Sequence, residues 1–123
     1  IYTLSLHDAL PILVIRTSSG FHPYFPAVGT QFDFNGAPYD ADYIAHTEFV
    51  ASPSDTHVAF DGMKLDIRTQ NLPIYALWSD RNGQYTCAEP TAEGNAFLSP
   101  ARGGQFVSGH GKKHYGMKIR LIT

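Results

Sequence analysis

The chain has 123 residues, of which 43% are hydrophobic, and its nine Lys and Arg residues face eleven Asp and Glu residues. This balance, without a basic stripe, argues against nucleic-acid binding, and no apolar run reaches the roughly 18 residues that indicate a membrane span. The single cysteine, Cys87, excludes an internal disulfide and any paired-cysteine zinc motif, so we expect a reducing, cytoplasmic setting.

The first twelve residues, IYTLSLHDALPI, resemble the translation of a standard short-read sequencing adapter, codon by codon. Segments that come from vectors or scars are left out of fold reasoning. We therefore expect residues 1–12 to be foreign to the natural protein, and His7 and Asp8 receive no functional weight. On this interpretation, residues 13–123 are the C-terminal part of a larger domain.

Short segments rich in β-branched and aromatic residues follow along the chain. The segment 13–17 is typical of a strand, and the two prolines in 20–26 indicate an ordered loop or strand edge. Further strand patterns lie at 31–35, 43–50, 56–60, 63–69, 73–79, 84–88, 104–108 and 114–122. No window of the chain has a convincing helical period, so the pattern predicts an all-β fold.

Two dipeptides between these segments are typical of tight turns. Asn35-Gly36 is one, and Asp61-Gly62 is the strongest hairpin signal in the chain. The alternation in 63–69 predicts a strand with one face toward water. Short strands at regular spacing with turns between them indicate a sandwich or a barrel.

Two segments carry residue types suited to proton transfer. His22 lies in GFHPYF (20–25), where a proline and three aromatic residues restrict its orientation, and histidine exchanges protons near neutral pH. Glu89 lies in CAEP (87–90) after an apolar strand, and partial desolvation makes a carboxylate a better base. Taken alone, each residue also fits a structural role, as a core histidine or as a solvated strand-end glutamate.

The remaining candidates point to no chemistry. His110 and His114 have the spacing of metal ligands on a helix. The glycines and lysines around them make a helix improbable, and the positive charges of the lysines repel a metal ion. Cys87 has no base at a motif spacing, so no nucleophilic role is predicted. The sequence therefore predicts no metal site.

The two leading segments together resemble the galactose mutarotase-like superfamily, which includes the aldose 1-epimerases. GFHPYF is similar to the loop that holds that family's catalytic histidine. The segment 72–97, LPIYALWSDRNGQYTCAEPTAEGNAF, is similar to the family's later segment with Cys-x-Glu-Pro and a trailing Asn-Ala-Phe. The segments occur in the family's order, and the resemblance covers most of 19–100.

The resemblance implies an antiparallel β-sandwich and an isomerase that interconverts the α and β anomers of a hexose or hexose phosphate. His22 would be the general acid, Glu89 the general base, and Tyr24, Phe25 and Trp78 an apolar floor for the sugar ring. No metal, nucleotide or covalent intermediate is required, so no cofactor is expected, and the partner is a small sugar. A non-catalytic carbohydrate-binding β-sandwich is the alternative.

Three departures from the family pattern bear on this interpretation. The interval from His22 to Glu89 is shorter than is usual in the family. The family's sugar-contacting Arg and second His belong upstream of the His-Pro segment, and its substrate-binding Asp cannot be chosen among several aspartates here. We therefore expect the 123-residue chain alone to be inactive and, with sheet edges uncovered, prone to aggregate.

Overall fold

A computed structural model describes residues 15–26, 31–40, 47–60, 62–79, 85–95, 105–107 and 111–122. Within these ranges the strands are β1 (Ile15–Thr17), β2 (Tyr24–Pro26), β3 (Gln31–Phe34), β4 (Ala37–Asp40), β5 (Glu48–Ala51), β6 (Asp55–Phe60), β7 (Met63–Gln70), β8 (Ile74–Ser79), β9 (Tyr85–Thr91), β10 (Gln105–Val107) and β11 (Gly116–Ile122). The predictions for residues 1–12 and for His110 lie outside the described residues. Within these ranges, no helix has the length and apolar character needed to cross a membrane.

Two antiparallel sheets pack as a sandwich. The larger sheet has the strand order β11-β7-β6-β3-β4, and the smaller has the order β2-β9-β8-β5. Strands β1 and β10 form a separate antiparallel pair. The predicted all-β antiparallel sandwich is therefore confirmed.

Both predicted hairpins form. Asn35 and Gly36 connect β3 to β4 with φ angles of 54° and 83°, and a two-residue type I′ turn requires positive φ at both positions. The Asn35 side chain connects this turn to strand β6 and to the segment before it. Its Oδ1 accepts from the His57 N–H at 2.8 Å, and its Nδ2 donates to Ser52 Oγ at 2.9 Å. Strands β6 and β7 pair up to the second turn, where Gly62 has a φ of 75°.

Strand β4 was not predicted, because Pro38 interrupts its pattern. Proline has no N–H to donate, so it disfavours any strand that pairs on both sides. Here β4 is an edge strand that pairs with β3 alone, and Pro38 lies opposite Asp33. An edge strand has one side that faces no other strand. A proline is tolerated there because no neighbouring carbonyl on that side needs its N–H.

The core between the two sheets is largely aromatic. Phe34 of β3 meets Tyr75 of β8 edge to face, with ring centroids 5.1 Å apart, and Phe25 of β2 meets Phe60 of β6 at 5.4 Å. The buried cluster consists of Phe25, Phe32, Phe34, Val58, Phe60, Leu65, Ile67, Tyr75, Leu77 and Ala88. These contacts cross from one sheet to the other, so they hold the sandwich together.

The edge strand β11 carries an apolar row that is only partly covered. Ile119 pairs with Ile67 and Leu121 with Leu65, so all four side chains share the core face of the larger sheet. Yet Ile119 is 38% exposed and Leu121 is 58% exposed. Apolar side chains on an exposed edge favour association between chains, which is a physical basis for the expected aggregation.

Asp66 of β7 connects three strands through its carboxylate. Its Oδ1 lies 2.7 Å from Nδ1 of His57 on β6, and its Oδ2 accepts from the guanidinium of Arg120 on β11. The hydrogen bond from Arg120 holds the pKa of Asp66 below its ordinary value; burial acts in the opposite sense, and His57 lowers it further. A carboxyl pKa that is lower in the folded chain contributes stability above about pH 4, which is lost as the pH falls through the folded value.

We expect the melting temperature to fall on acidification below about pH 4, and to fall less steeply in an Asp66→Asn variant. Thermal melts followed by circular dichroism between neutral and acid pH measure both slopes. Asp55→Asn is the matched control, because Asp55 forms an exposed ion pair with Arg68 on the same hairpin. Equal acid slopes in the wild type and Asp66→Asn would contradict the assignment.

Candidate active site

The outer face of the smaller sheet carries a group of polar and aromatic side chains. In β9, Ala88 belongs to the core, so its neighbours Cys87 and Glu89 point to the opposite face. In β8, Leu77 belongs to the core and Trp78 points outward by the same alternation. These residues therefore share one side of the sheet, away from the packed interior.

The backbone that precedes β2 docks onto β9. The Phe21 N–H donates to the Pro90 carbonyl at 3.1 Å, and Gly20 forms an isolated bridge with Thr91. A Cβ atom on Gly20 would lie only 3.0 Å from the same Pro90 oxygen, so this close approach favours glycine. The docked backbone carries His22 onto the outer face of the sheet.

His22 and Glu89 are in direct contact on that face. Nε2 of His22 lies 2.7 Å from Oε1 of Glu89, and the indole N–H of Trp78 donates to the same oxygen. The Glu89 side chain is only 16% exposed, whereas that of His22 is 47% exposed. A proton donor and a proton acceptor thus lie within hydrogen-bonding distance, one fixed by the sheet and one open to solvent.

Aromatic rings surround the histidine. Tyr24 stacks on His22 with centroids 4.5 Å apart and an interplanar angle of 21°, and Trp78 lies 5.6 Å away at a tilt. Tyr85 meets both Tyr24 and Trp78 edge to face, at 5.0 and 5.6 Å. Because Tyr24 is 57% exposed, the cluster opens to solvent. Apolar rings with a few convergent polar groups are typical of small-molecule sites.

Cys87 occupies the centre of this group, which the sequence did not predict. The strand register pairs it with Tyr24 on β2 and with Trp78 on β8, and it is fully buried. Its Sγ, one ring nitrogen of His22 and one carboxylate oxygen of Glu89 all lie within 4.8 Å of one another. Cys87 lies near Glu89 because the two alternate onto one face of β9, but its place beside His22 and Trp78 arises from strand pairing, which no motif spacing reveals.

The structure brings most of the predicted site residues together, with one exception. His22, Tyr24, Trp78 and Glu89 lie in a single cluster. Phe25 does not, because it is 7% exposed and belongs to the core, where it contacts Phe60. Successive strand residues face opposite sides, so Tyr24 and Phe25 cannot both line the site. Tyr85, which the sequence did not single out, contributes the further ring.

A separate open cavity of about 630 Å³ lies between loops and around His114. Its lining residues are Ser52, Ser54, Thr69, Gln70, Asn71, Leu72, Pro73, Lys112, Lys113 and His114. No carboxylate is among them, so this cavity lacks a histidine–carboxylate pair like that of His22 and Glu89. Residues 111–115 are not helical, as predicted, and Asn71 Nδ2 donates to the His114 carbonyl at 2.7 Å.

The fold and the site together define a class of protein: a β-sandwich in which a histidine–glutamate pair lies among aromatic rings on the outer face of one sheet. Comparison of the chain with protein-family models, with curated proteins and with solved structures finds no match. The chemistry of the site is therefore the basis for assigning a function.

Proposed function

We propose that the chain is part of a mutarotase similar to the aldose 1-epimerases, acting on a hexose or hexose phosphate in the cytoplasm. The observation that carries the proposal is the 2.7 Å contact between His22 Nε2 and Glu89 Oε1 beside exposed aromatic rings. The resemblance of the segments around these two residues to that family supports the same function. The proposal includes no cofactor, nucleic acid or membrane partner.

The reaction moves two protons around one carbon atom. Glu89 takes the proton of the anomeric hydroxyl, and protonated His22 gives a proton to the ring oxygen as the bond from that oxygen to C1 breaks. Rotation about the C1–C2 bond turns the other face of the new C1 carbonyl toward the hydroxyl that was the ring oxygen. That hydroxyl attacks C1, and the two proton transfers run in reverse, which closes the ring as the other anomer. Both sugar oxygens are bonded to C1, so the acid and the base have to be close neighbours.

The two side chains differ in exposure, which supports different roles. Glu89 is mostly covered and accepts from the indole of Trp78, so it suits a base whose position is constant. His22 is about half exposed, so a sugar oxygen can reach it from solvent. Sugar oxygens replace the hydrogen bond between the two side chains, so no polar group is left without a partner.

We expect His22→Gln to lower kcat/KM for anomer interconversion by about 10²- to 10⁴-fold, because glutamine cannot deliver a proton to the ring oxygen. The measurement is polarimetry of a freshly dissolved hexose, with the chain carrying its natural upstream sequence in place of residues 1–12. His57→Gln is the control, because His57 lies on the other sheet beside Asp66. Full activity in His22→Gln would count against the proposal.

A carbohydrate-binding β-sandwich without catalysis is the second candidate. Tyr24 is 57% exposed and contacts Tyr85 and Trp78, so the aromatic cluster alone offers a stacking surface. Trp78 is the only tryptophan in the sequence, so intrinsic fluorescence reports directly on the site. Saturable quenching by sugar, with the anomers equilibrating at the uncatalysed rate, would favour this candidate over the mutarotase.

A further inference from the structure

The site contains three different metal-ligand atoms in one place. A His22 ring nitrogen, Cys87 Sγ and a Glu89 carboxylate oxygen lie within 4.8 Å of one another. Nitrogen, sulfur and oxygen donors of these types are the ligands of zinc, whereas Mg²⁺ and Ca²⁺ prefer all-oxygen sites. The proposed proton transfer involves His22 and Glu89 and does not involve the Cys87 thiol.

We propose that His22, Cys87 and Glu89 bind a thiophilic divalent cation of the zinc type, and that the bound ion blocks the acid–base pair. The binding itself is independent of the sugar chemistry. The block rests on the proposed function, since it assumes that His22 and Glu89 transfer protons. The ion is an inhibitor of the site rather than its cofactor.

The geometry needs only a small adjustment. Bonds of about 2.0 to 2.3 Å to a tetrahedral zinc ion place its ligand atoms roughly 3.3 to 3.7 Å apart. The three atoms lie within 4.8 Å of one another, and the His22–Glu89 contact of 2.7 Å has to widen. Cys87 and Glu89 share one face of β9, whereas the His22 side chain is 47% exposed, so the proposed widening falls on His22. The solvent side of His22 supplies a water as the fourth ligand.

The charges also match. Zinc binds cysteine as the thiolate, so the Cys87 thiol releases its proton to solvent when the S–Zn bond forms. One thiolate and one carboxylate then neutralise the two positive charges of the ion in a partly buried place. The Trp78 indole N–H already donates to the Glu89 carboxylate, and such outer hydrogen bonds orient metal ligands.

Bound metal and proton transfer exclude each other. The ion uses the lone pair of the His22 ring and an oxygen of the Glu89 carboxylate. A coordinated imidazole nitrogen carries no proton for the ring oxygen, and a coordinated carboxylate is a poor base for the anomeric hydroxyl. Metal binding is therefore expected to abolish anomer interconversion reversibly.

Cobalt(II) serves as the spectroscopic probe for the site. The 123-residue chain is titrated with Co²⁺ alone, and Zn²⁺ is then added to displace it. We expect one equivalent to bind, with a thiolate-to-cobalt charge-transfer band in the near ultraviolet that Zn²⁺ abolishes. The band disappears in Cys87→Ala. Affinity falls by more than about tenfold in His22→Ala, since even changes to outer hydrogen bonds cost about 10- to 100-fold.

Control variants separate this cluster from other metal-binding residues and from unfolding. A double His110→Ala, His114→Ala variant removes the histidine pair near the C-terminus and is expected to keep both the band and the affinity. Because Cys87 is fully buried, Cys87→Ala is also checked for a cooperative melt. His22→Ala changes an exposed side chain, so it tests the cluster without disturbing the core.

Two sets of outcomes test the two halves of the proposal. Absence of a thiolate band, its persistence in Cys87→Ala, or its loss in the double histidine variant overturns the metal site, whatever the enzyme assay shows. Sugar turnover that continues when Zn²⁺ saturates the protein, measured in the same chain as the His22→Gln assay, overturns the block alone. Inhibition by Zn²⁺ that a chelator reverses supports both halves.

Discussion

Replacing Glu89 with glutamine is expected to lower the rate of anomer interconversion by about 10²- to 10⁴-fold, because an amide cannot accept the proton of the anomeric hydroxyl. The fold should survive the change. A glutamine oxygen in the place of Oε1 still accepts from the Trp78 indole and can accept from Nε2–H of His22. The substitution therefore removes the base while its hydrogen-bond geometry stays intact.

Glu48→Gln is the matched control for this experiment. Glu48 lies at the start of β5 in the same sheet, and its replacement removes one carboxylate without touching the site. Polarimetry under the conditions used for His22→Gln gives the rate, and thermal melts of both variants report stability. Wild-type turnover in Glu89→Gln would contradict the acid–base proposal. An equal loss of turnover in Glu48→Gln would show that the loss is not specific to the site.

The largest loss of stability is expected for Phe34→Ala, at about 3 to 5 kcal/mol. Phe34 is 2% exposed and meets Tyr75 edge to face across the two sheets, at 5.1 Å between centroids. Its truncation leaves a cavity that rigid strands on both sides cannot close. Since domains of this size are stable by only about 5 to 15 kcal/mol, a loss of this size leaves little margin.

Phe49→Ala provides the comparison, because Phe49 is 39% exposed on β5. It removes the same group of atoms but creates no enclosed cavity, so its cost should stay under about 2 kcal/mol. Urea unfolding followed by circular dichroism gives the midpoint for each variant. Similar midpoints for Phe34→Ala and Phe49→Ala would mean that the two sheets do not share the packed core described above.

The two predictions concern opposite sides of the smaller sheet: Glu89 lies on its outer face, and Phe34 of the larger sheet packs against its inner face. Core residues such as Tyr75 and Leu77 face the larger sheet, whereas Trp78 and Glu89 face outward. A change at the outer face removes few core contacts, and a change in the core leaves the site's ligand atoms in place. Stability and site chemistry should therefore respond to different substitutions.

Local sequence predicted the strands and the hairpins because these depend on neighbouring residues. Alternation over 63–69 predicted strand β7, and the dipeptide Asn35-Gly36 predicted the turn whose positive φ values it adopts without strain. His22 and Glu89 were named as candidates from side-chain chemistry and from the family resemblance. Sequence could not say that these two side chains touch.

Tertiary structure decided which residues meet and which face of each strand is buried. Strand alternation separates Tyr24 from Phe25, but only the packing of the sheets assigns Tyr24 to the site and Phe25 to the core. Cys87 and Glu89 lie near His22 and Trp78 because β9 pairs with β2 and β8 in one register, so residues far apart in sequence become neighbours. Register and sheet order are non-local, which is why a single sequence does not reveal them.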